Sequence, residues 1–437
     1  MRRIRLPVCG IICFLSVALG SSATTFYVSP GGNDSWAGTS PTGPWKTLSK
    51  VNAATFSAGD VVAFARGGTW TGCLTIHNSG HQGQPITVTA YGTNPARPVI
   101  RNPGSWTYSV VLNGDWIVVE ELLLKDSHFG GVRIPAGAEH NVVRNCEVKN
   151  TGTAVKFEGS YNLAASNRIH DLVMVVNTQG GYDDFGAVGF IVEAPCNEIA
   201  YNEVWNCVAP SYDFGRDGGV VELYGDVDYT SVHHNRTWGC DGFVEVGGSP
   251  GHAHGCRIFC NLSLNNRGRF ATLHNTDSFS SDIHDLRMDH NTIVENEGDQ
   301  EWVVLWFSGS PSSASVLFRN NITYAQRVRY LANLDFNHSY NLYRLLNGGT
   351  QLIATGAGLR TGEAFGDPQF VSVTQEDFHL QEGGPAVDAG FNLGYNEDLD
   401  GVPIPQGKAP DLGAFERPNS SPPAPPANLR VLSQGEI

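Results

Sequence analysis

Two stretches of this chain place a carboxylate in an otherwise small and apolar run. They read AspPheGlyAlaValGlyPheIleValGluAla at 184–194 and AspPheGlyArgAspGlyGlyValValGluLeu at 213–223. Aligned on their first residues, they set Asp184 against Asp213 and Glu193 against Glu222; CysAspGlyPheValGluValGlyGly at 240–248 then supplies Glu245 at an equivalent place. A glutamate in such a run breaks its apolar pattern, and glutamates on neighbouring strands repel and raise one another's pKa. Opposed carboxyl groups are the equipment of glycoside cleavage: one protonated acid serves the leaving oxygen, and one carboxylate activates water or attacks the sugar. Glu193, Glu222 and Glu245 are therefore the candidate catalytic ladder, with Asp217 and Asp241, just ahead of two of them, as supporting acids. Adjacent rungs at about 4.8 Å suit a retaining pair, whereas Glu193 and Glu245, two rungs apart at about 9.6 Å, approach the upper limit for an inverting pair.

The same acids support a second chemistry. Calcium takes six to eight oxygen ligands, and Asp213, Asp217 and Asp241, with Glu222 and Glu245 beside them, are a candidate set. A calcium-assisted lyase would neutralise a uronate carboxylate with the ion and remove a proton with a base drawn from Lys125, Lys156, Arg216, Arg269, His274 or Tyr224. Hydrolysis requires no cofactor; calcium belongs to the lyase reading. Candidate substrate contacts are Asp184, Asp213, Arg216, Tyr224, Arg269, His274 and Trp306, the last sharing strand parity with Trp302. A third reading makes the acids structural, in a glycan-binding solenoid without catalysis. The pairs His233/His234 and His252/His254 read as surface residues of a turn region.

The elements that position these residues are legible from repetition. ValValArgAsnCysGluVal (142–148), GluIleAlaTyrAsnGluVal (198–204), SerValHisHisAsnArgThr (231–237) and LeuArgMetAspHisAsnThr (286–292) are one line written several times. Anchored on Asn145, Asn167, Asn202, Asn235, Asn261, Asn291 and Asn321, the spacing is 22, 35, 33, 26, 30 and 30 residues, one coil of about 22 with insertions. That is a solenoid signature, since a coil of two or three short strands buries its inward face only by stacking. The expectation is an all-β solenoid of stacked coils. Asparagine at the recurring turn is expected to adopt the left-handed backbone and to hydrogen-bond along the stack.

Residues 1–23 carry ArgArg and an apolar stretch from Leu6 to Leu19, the layout of a secretory signal peptide, which predicts export to the extracellular space or periplasm. Residues 24–417 are assigned to the solenoid, with a helix in 44–53 capping its open end and a less periodic part at 344–417; the Pro-rich 418–437 reads as a linker remnant. Seven cysteines remain after the signal, of which Cys207 and Cys240 occupy equivalent places and are expected to stack, either as a disulfide or as buried thiols. A net charge of −15 offers no basic patch for phosphates and argues against nucleic acid as a partner, and no run beyond the signal is long enough for membrane insertion. The expected partner is a polysaccharide; the oligomeric state is left open.

The opening TyrValSerProGlyGlyAsnAspSer…ProTrpLysThrLeu, the segment GlnProIleThrValThrAlaTyrGly, and the closing AspPheHisLeuGln…GlyProAlaValAspAlaGly…AspLeuGlyAlaPheGlu resemble the secreted right-handed parallel β-helix proteins of the pectate-lyase-like superfamily. The resemblance covers nearly the whole mature chain and implies the fold and a carbohydrate-active role. Lyases and hydrolases share these elements, so it does not choose the reaction. CysAspGlyPheValGlu also resembles the AspAspGlyPheAsp calcium motif of one pectate lyase family, with Cys240 in place of the first acid and the last acid shifted by one.

Overall fold

A computed structural model describes residues 23–267, 269–274, 281–297, 301–306, 314–331, 336–349 and 358–418. Residues 1–22, most of the expected signal segment, and the Pro-rich 419–437 lie outside the described residues. Each coil gives one short strand to each of three sheets. The first sheet holds twelve strands, from Thr25–Val28 to Asn337–Ser339; the second holds eleven, from Leu74–Ile76 to Val328–Leu331; the third holds twelve, from Thr69–Thr71 to Ala364–Phe365. Neighbouring strands run parallel, and successive coils stay in register: on the second sheet Val132, Val155, Phe190, Val221, Val244, Ala271 and Val304 follow one another inward. All are buried. Each large aliphatic or aromatic side chain in such a column contributes roughly 1.5–3 kcal/mol, realised only when the next coil covers it. The chain is thus a parallel β-helix: the stacked coils are those its repeats predict, and the parallel sheets those its resemblance implies.

The corner between the first and third sheets is held by asparagine. Oδ1 of Asn167 accepts from the backbone N–H of Cys146, and Asn202, Asn235, Asn261, Asn291, Asn321 and Asn341 each accept from the ladder residue one coil before, at 2.8–3.1 Å. These side chains are buried, so each satisfies a backbone group that water cannot reach. Two details of the expectation are corrected. The ladder residue of the first coil is Cys146, not Asn145. The left-handed backbone belongs to the residue before each asparagine, namely Ser166, Tyr201, His234, Cys260, His290, Asn320 and Tyr340. A second ladder, Asn141–Asn162–Asn197, repeats the device where coils enter the first sheet. His234, expected at the surface, is 4% exposed inside the main corner, with Nε2 on the Glu397 carbonyl.

The N-terminal helix is short, Leu48–Asn52, with the Thr47 hydroxyl accepting from the Lys50 N–H and with Leu48 and Val51 buried. Cys207 and Cys240 are buried free thiols, and the other five cysteines of the described residues are free as well. The less periodic C-terminal part returns along the outside of the third sheet. There Phe370, Phe378, Leu380, Leu412 and Phe415 form a second apolar cluster with the strand residues Leu262, Leu264, Val294, Ile322 and Leu342. Glu363 closes the asparagine ladder by accepting from Asn341, Tyr343 and His338. No helix among the described residues is long and apolar enough to cross a membrane.

Candidate active site

The outward face of the second sheet carries the chemistry. One outward column runs Arg133, Lys156, Ile191, Glu222, Glu245, Thr272 and Leu305 on successive coils. Glu222 and Glu245 are therefore rung neighbours, as the sequence predicts. Glu193 is not their third member: Ile191 stands opposite Glu222 and Val192 opposite Leu223, so Glu193 lies level with Tyr224, two residues along. Its carboxylate, 41% exposed, pairs with Lys156 at 3.0 Å. The local repeat misleads because the second hairpin is longer. Four residues separate Asp184 from the strand start at Val188, but six separate Asp213 from the equivalent Gly219, and the extra pair is Arg216 and Asp217. The apolar triplets PheIleVal, ValGluLeu and ValGluVal carry the correct register in the sequence.

Local folding brings the supporting residues to this column. The two coils that carry Ile191 and Glu222 each insert a hairpin between the third and second sheets, Met174–Val176 with Phe185–Gly186, then Ala209–Ser211 with Gly215–Asp217. Asp184 and Asp213 clasp these hairpins together: Asp184 Oδ2 accepts from the Asp213 N–H at 2.9 Å, and Asp213 Oδ2 from the Asp184 N–H at 3.1 Å. They are structural in this geometry. Asp217 ends the second hairpin and returns to the groove. Asp241, 5% exposed, is gripped by Arg216 Nε and lies 3.6 Å from Arg269. A shallow cleft lined by Gly219, Glu222, Asp241, Glu245, Arg269 and Thr272 results. A wider hollow of about 330 Å³ lies far away, beside Ala23, Gly59 and Gln84, and no titratable side chain lines it.

The two glutamates are pushed in opposite directions. Burial raises Glu222 well above the usual carboxylate range, and the negative charges of Glu245 and Asp217 add to the rise. Burial also acts to raise Glu245, but hydrogen bonds from His274 and Tyr224 and the field of Arg269 outweigh it and leave its pKa lowered. The geometry is direct: Tyr224 donates to Glu245 Oε1 at 2.6 Å, and His274 Nε2 lies 2.8 Å from the same oxygen. Burial lifts Asp217 to about 6, helped by Glu245 and Asp241. Burial and the two glutamate charges also hold the Tyr224 phenol protonated. Environments that separate two carboxyl groups in this way assign an acid and a base.

Several expected residues do not join the site. Asp213, Asp217 and Asp241 are not one metal cage, because Asp213 is committed to the hairpin clasp and Asp241 to two arginines. Asp213 instead falls within 4.8 Å of Asp183 and Asp184. Lys125 belongs to the third sheet, beside Asp126, and Lys156 is shared by Glu158 and Glu193. Trp302 and Trp306 occupy the strand Glu301–Trp306, but their side chains lie outside what the structure describes. Sequence reading missed Ile191, the apolar neighbour of Glu222 and only 3% exposed, and the role of Tyr224 as a donor to Glu245.

No family model matches the chain. A stretch of 90 residues is 42% identical to a lacto-N-biosidase of Bifidobacterium longum subsp. longum, covering 19% of this chain and 6% of that protein. The solved structure of pectate lyase Pel9A aligns over 91% of this chain and 97% of its own, with 18% identity and a TM-score of 0.62. That of the lacto-N-biosidase of Eubacterium ramulus aligns over 74% of this chain and 64% of its own, with 14% identity and a TM-score of 0.53. A rhamnogalacturonan lyase aligns over 81% of this chain with a TM-score of 0.50. At these identities the likeness is one of fold: this chain is a parallel β-helix protein built on the plan shared by those carbohydrate-active enzymes.

Proposed function

We propose that the protein is an exported glycoside hydrolase of a polysaccharide or oligosaccharide, with Glu222 as general acid and Glu245 as the paired carboxylate. The observation that carries this reading is two glutamates on adjacent rungs of one outward face in opposed surroundings, Glu222 beside Ile191 and Glu245 under Tyr224 and His274. Protonated Glu222 donates to the glycosidic oxygen. Ionised Glu245, whose Oε1 takes the hydrogen bonds from Tyr224 and His274, turns Oε2 to the anomeric carbon. The rung spacing of about 4.8 Å matches a retaining pair, so a glycosyl–enzyme ester forms as the Glu245 C–O bond is made and the leaving-group bond breaks; water then releases it, with Glu222 now acting as base. Asp241 positions Arg269 beside Glu245, and Asp217 adds negative charge that keeps the acid protonated. The partial likeness to lacto-N-biosidases supports hydrolysis.

The Asp183–Asp184–Asp213 grouping favours one other reading, a calcium-assisted lyase acting on a uronate glycan, since three carboxylates within 4.8 Å on the hairpins can hold calcium. Against it, Lys156, Arg216 and Arg269 are each engaged in an ion pair with a carboxylate of the protein itself, Glu193 or Asp241. A panel of neutral and uronic glycans, read together for reducing ends and for the ultraviolet absorbance of an unsaturated product, with calcium and with chelator, separates the two. Reducing ends without absorbance are expected; calcium-dependent absorbance would overturn the hydrolase assignment.

A further inference from the structure

The strand that carries Glu245 does not end at the groove. It continues as Val244–His254 past an irregularity at which its pairing with the preceding strand jumps from Tyr224–Gly247 to Asp226–His252. Gly248 makes the bend, with φ of 92° and a position where a Cβ would come within 2.4 Å of the Gly225 nitrogen. Beyond the bend, His252 and His254 share one face, flanked by Asp226 and Asp228 on the coil before and by Asp282 on the coil after.

We propose that Asp228, His252 and His254 form a binding site for a first-row divalent transition ion of the zinc class, independent of the acid pair. One ligand atom from each lies within 4.8 Å of the other two. Both imidazoles present Nδ1 to the Asp228 carboxylate, His252 at 2.8 Å from Oδ1 and His254 at 3.8 Å from Oδ2. These distances bracket the roughly 3.3 Å between ligand atoms that metal–ligand bonds of about 2.0–2.1 Å produce in a tetrahedron. Both Nε2 atoms are held from outside, His252 by Asp226 at 3.2 Å and His254 by Asp282 at 3.1 Å. Carboxylates on the far nitrogen fix the ring and strengthen the near nitrogen as a ligand, the usual support of a metal-bound histidine. Asp228 is itself oriented, because its Oδ1 accepts from the His254 backbone N–H at 2.7 Å. Two imidazoles and a carboxylate select zinc, copper or nickel over calcium, which prefers an all-oxygen shell. An ion there leaves a coordination position for water.

Purified chain, stripped with chelator and dialysed against zinc chloride, should retain one zinc per chain in excess of calcium, by metal analysis. Cobalt chloride in place of zinc should give visible absorption bands of nitrogen–oxygen coordination in the unaltered protein, a readout that needs no variant. The H252Q/H254Q double variant, with the fold checked by circular dichroism, should lose at least 100-fold in zinc affinity. H379A, at a separate ion-paired histidine, should keep it. Absence of stoichiometric zinc and of cobalt bands in the unaltered protein would overturn the site and leave the cluster as imidazole–carboxylate ion pairs. Undiminished binding by the double variant would place the ion elsewhere.

Discussion

At the scale of the residue, one glutamate is kept protonated and its rung neighbour ionised. Ile191 on one side and Glu245 on the other give Glu222 an environment hostile to charge, whereas Glu245 has two hydrogen-bond donors and Arg269. The pH profile follows with its sign. Activity falls on the acid side as Glu245 takes up a proton, below the usual carboxylate range, and on the alkaline side as Glu222 loses one, well above that range. The E222Q variant should lose about 10²–10⁴-fold in kcat and, in its residual activity, the alkaline limb; E245Q should lose at least as much, together with the acid limb. A pH–rate series on a glycan found active in the panel checks both, and an unchanged alkaline limb in E222Q would remove it as the acid. Glu193 provides the contrast. Displaced by two residues and paired with Lys156, it should tolerate Glu193→Gln with kcat changed by no more than about threefold, since exposed ion pairs contribute little. A loss comparable to that of E222Q would restore it to the machinery.

The element that holds the site is the coil, and each coil is fixed at its corner by one buried asparagine. Asn235 accepts from the Asn202 N–H and donates to the carbonyl of Ile199. Asn235→Ala should cost about 1–3 kcal/mol, because the Asn202 N–H loses its side-chain acceptor where water cannot replace it. Chemical denaturation of the variant measures this, and a loss under about 0.5 kcal/mol would mean that the corner relaxes enough to satisfy the group. The asparagine period is plain in the sequence because a ladder requires the same side chain on every coil. The one-residue error at Asn145 has a physical cause: the left-handed residue and the ladder residue are adjacent, and asparagine suits both. The hairpins were harder to place. Their aspartates match in sequence because they clasp each other, yet the strand beyond them is offset by the two extra residues Arg216 and Asp217.

Across the whole molecule, the C-terminal part acts as a cover for the third sheet rather than as further coils. Strand residues that would face water, Leu262, Leu264, Val294, Ile322 and Leu342, are apolar because that segment packs on them. A chain ending at Gly349 should therefore be poorly soluble, exposing a contiguous apolar face and an open strand edge. Its soluble yield relative to the full chain tests this; equal yield and an unchanged melting temperature would show the segment to be dispensable.

The sequence by itself determined the architecture, because a solenoid writes its core column and its corner residue into every coil. Val221, Val244 and Ala271 in one column, and Asn202, Asn235 and Asn261 in another, need no knowledge of distant contacts to be read. It also exposed Glu222 and Glu245, since a carboxylate in an apolar triplet breaks a local pattern. Only the tertiary structure decided which groups act on them. The pairing of Ile191 with Glu222, the approach of Tyr224 and His274 to one oxygen, and the meeting of Asp228 with His252 and His254 all depend on inserted loops of unequal length. Register between coils sums those lengths, and a difference of two residues moves a side chain about 7 Å along its strand.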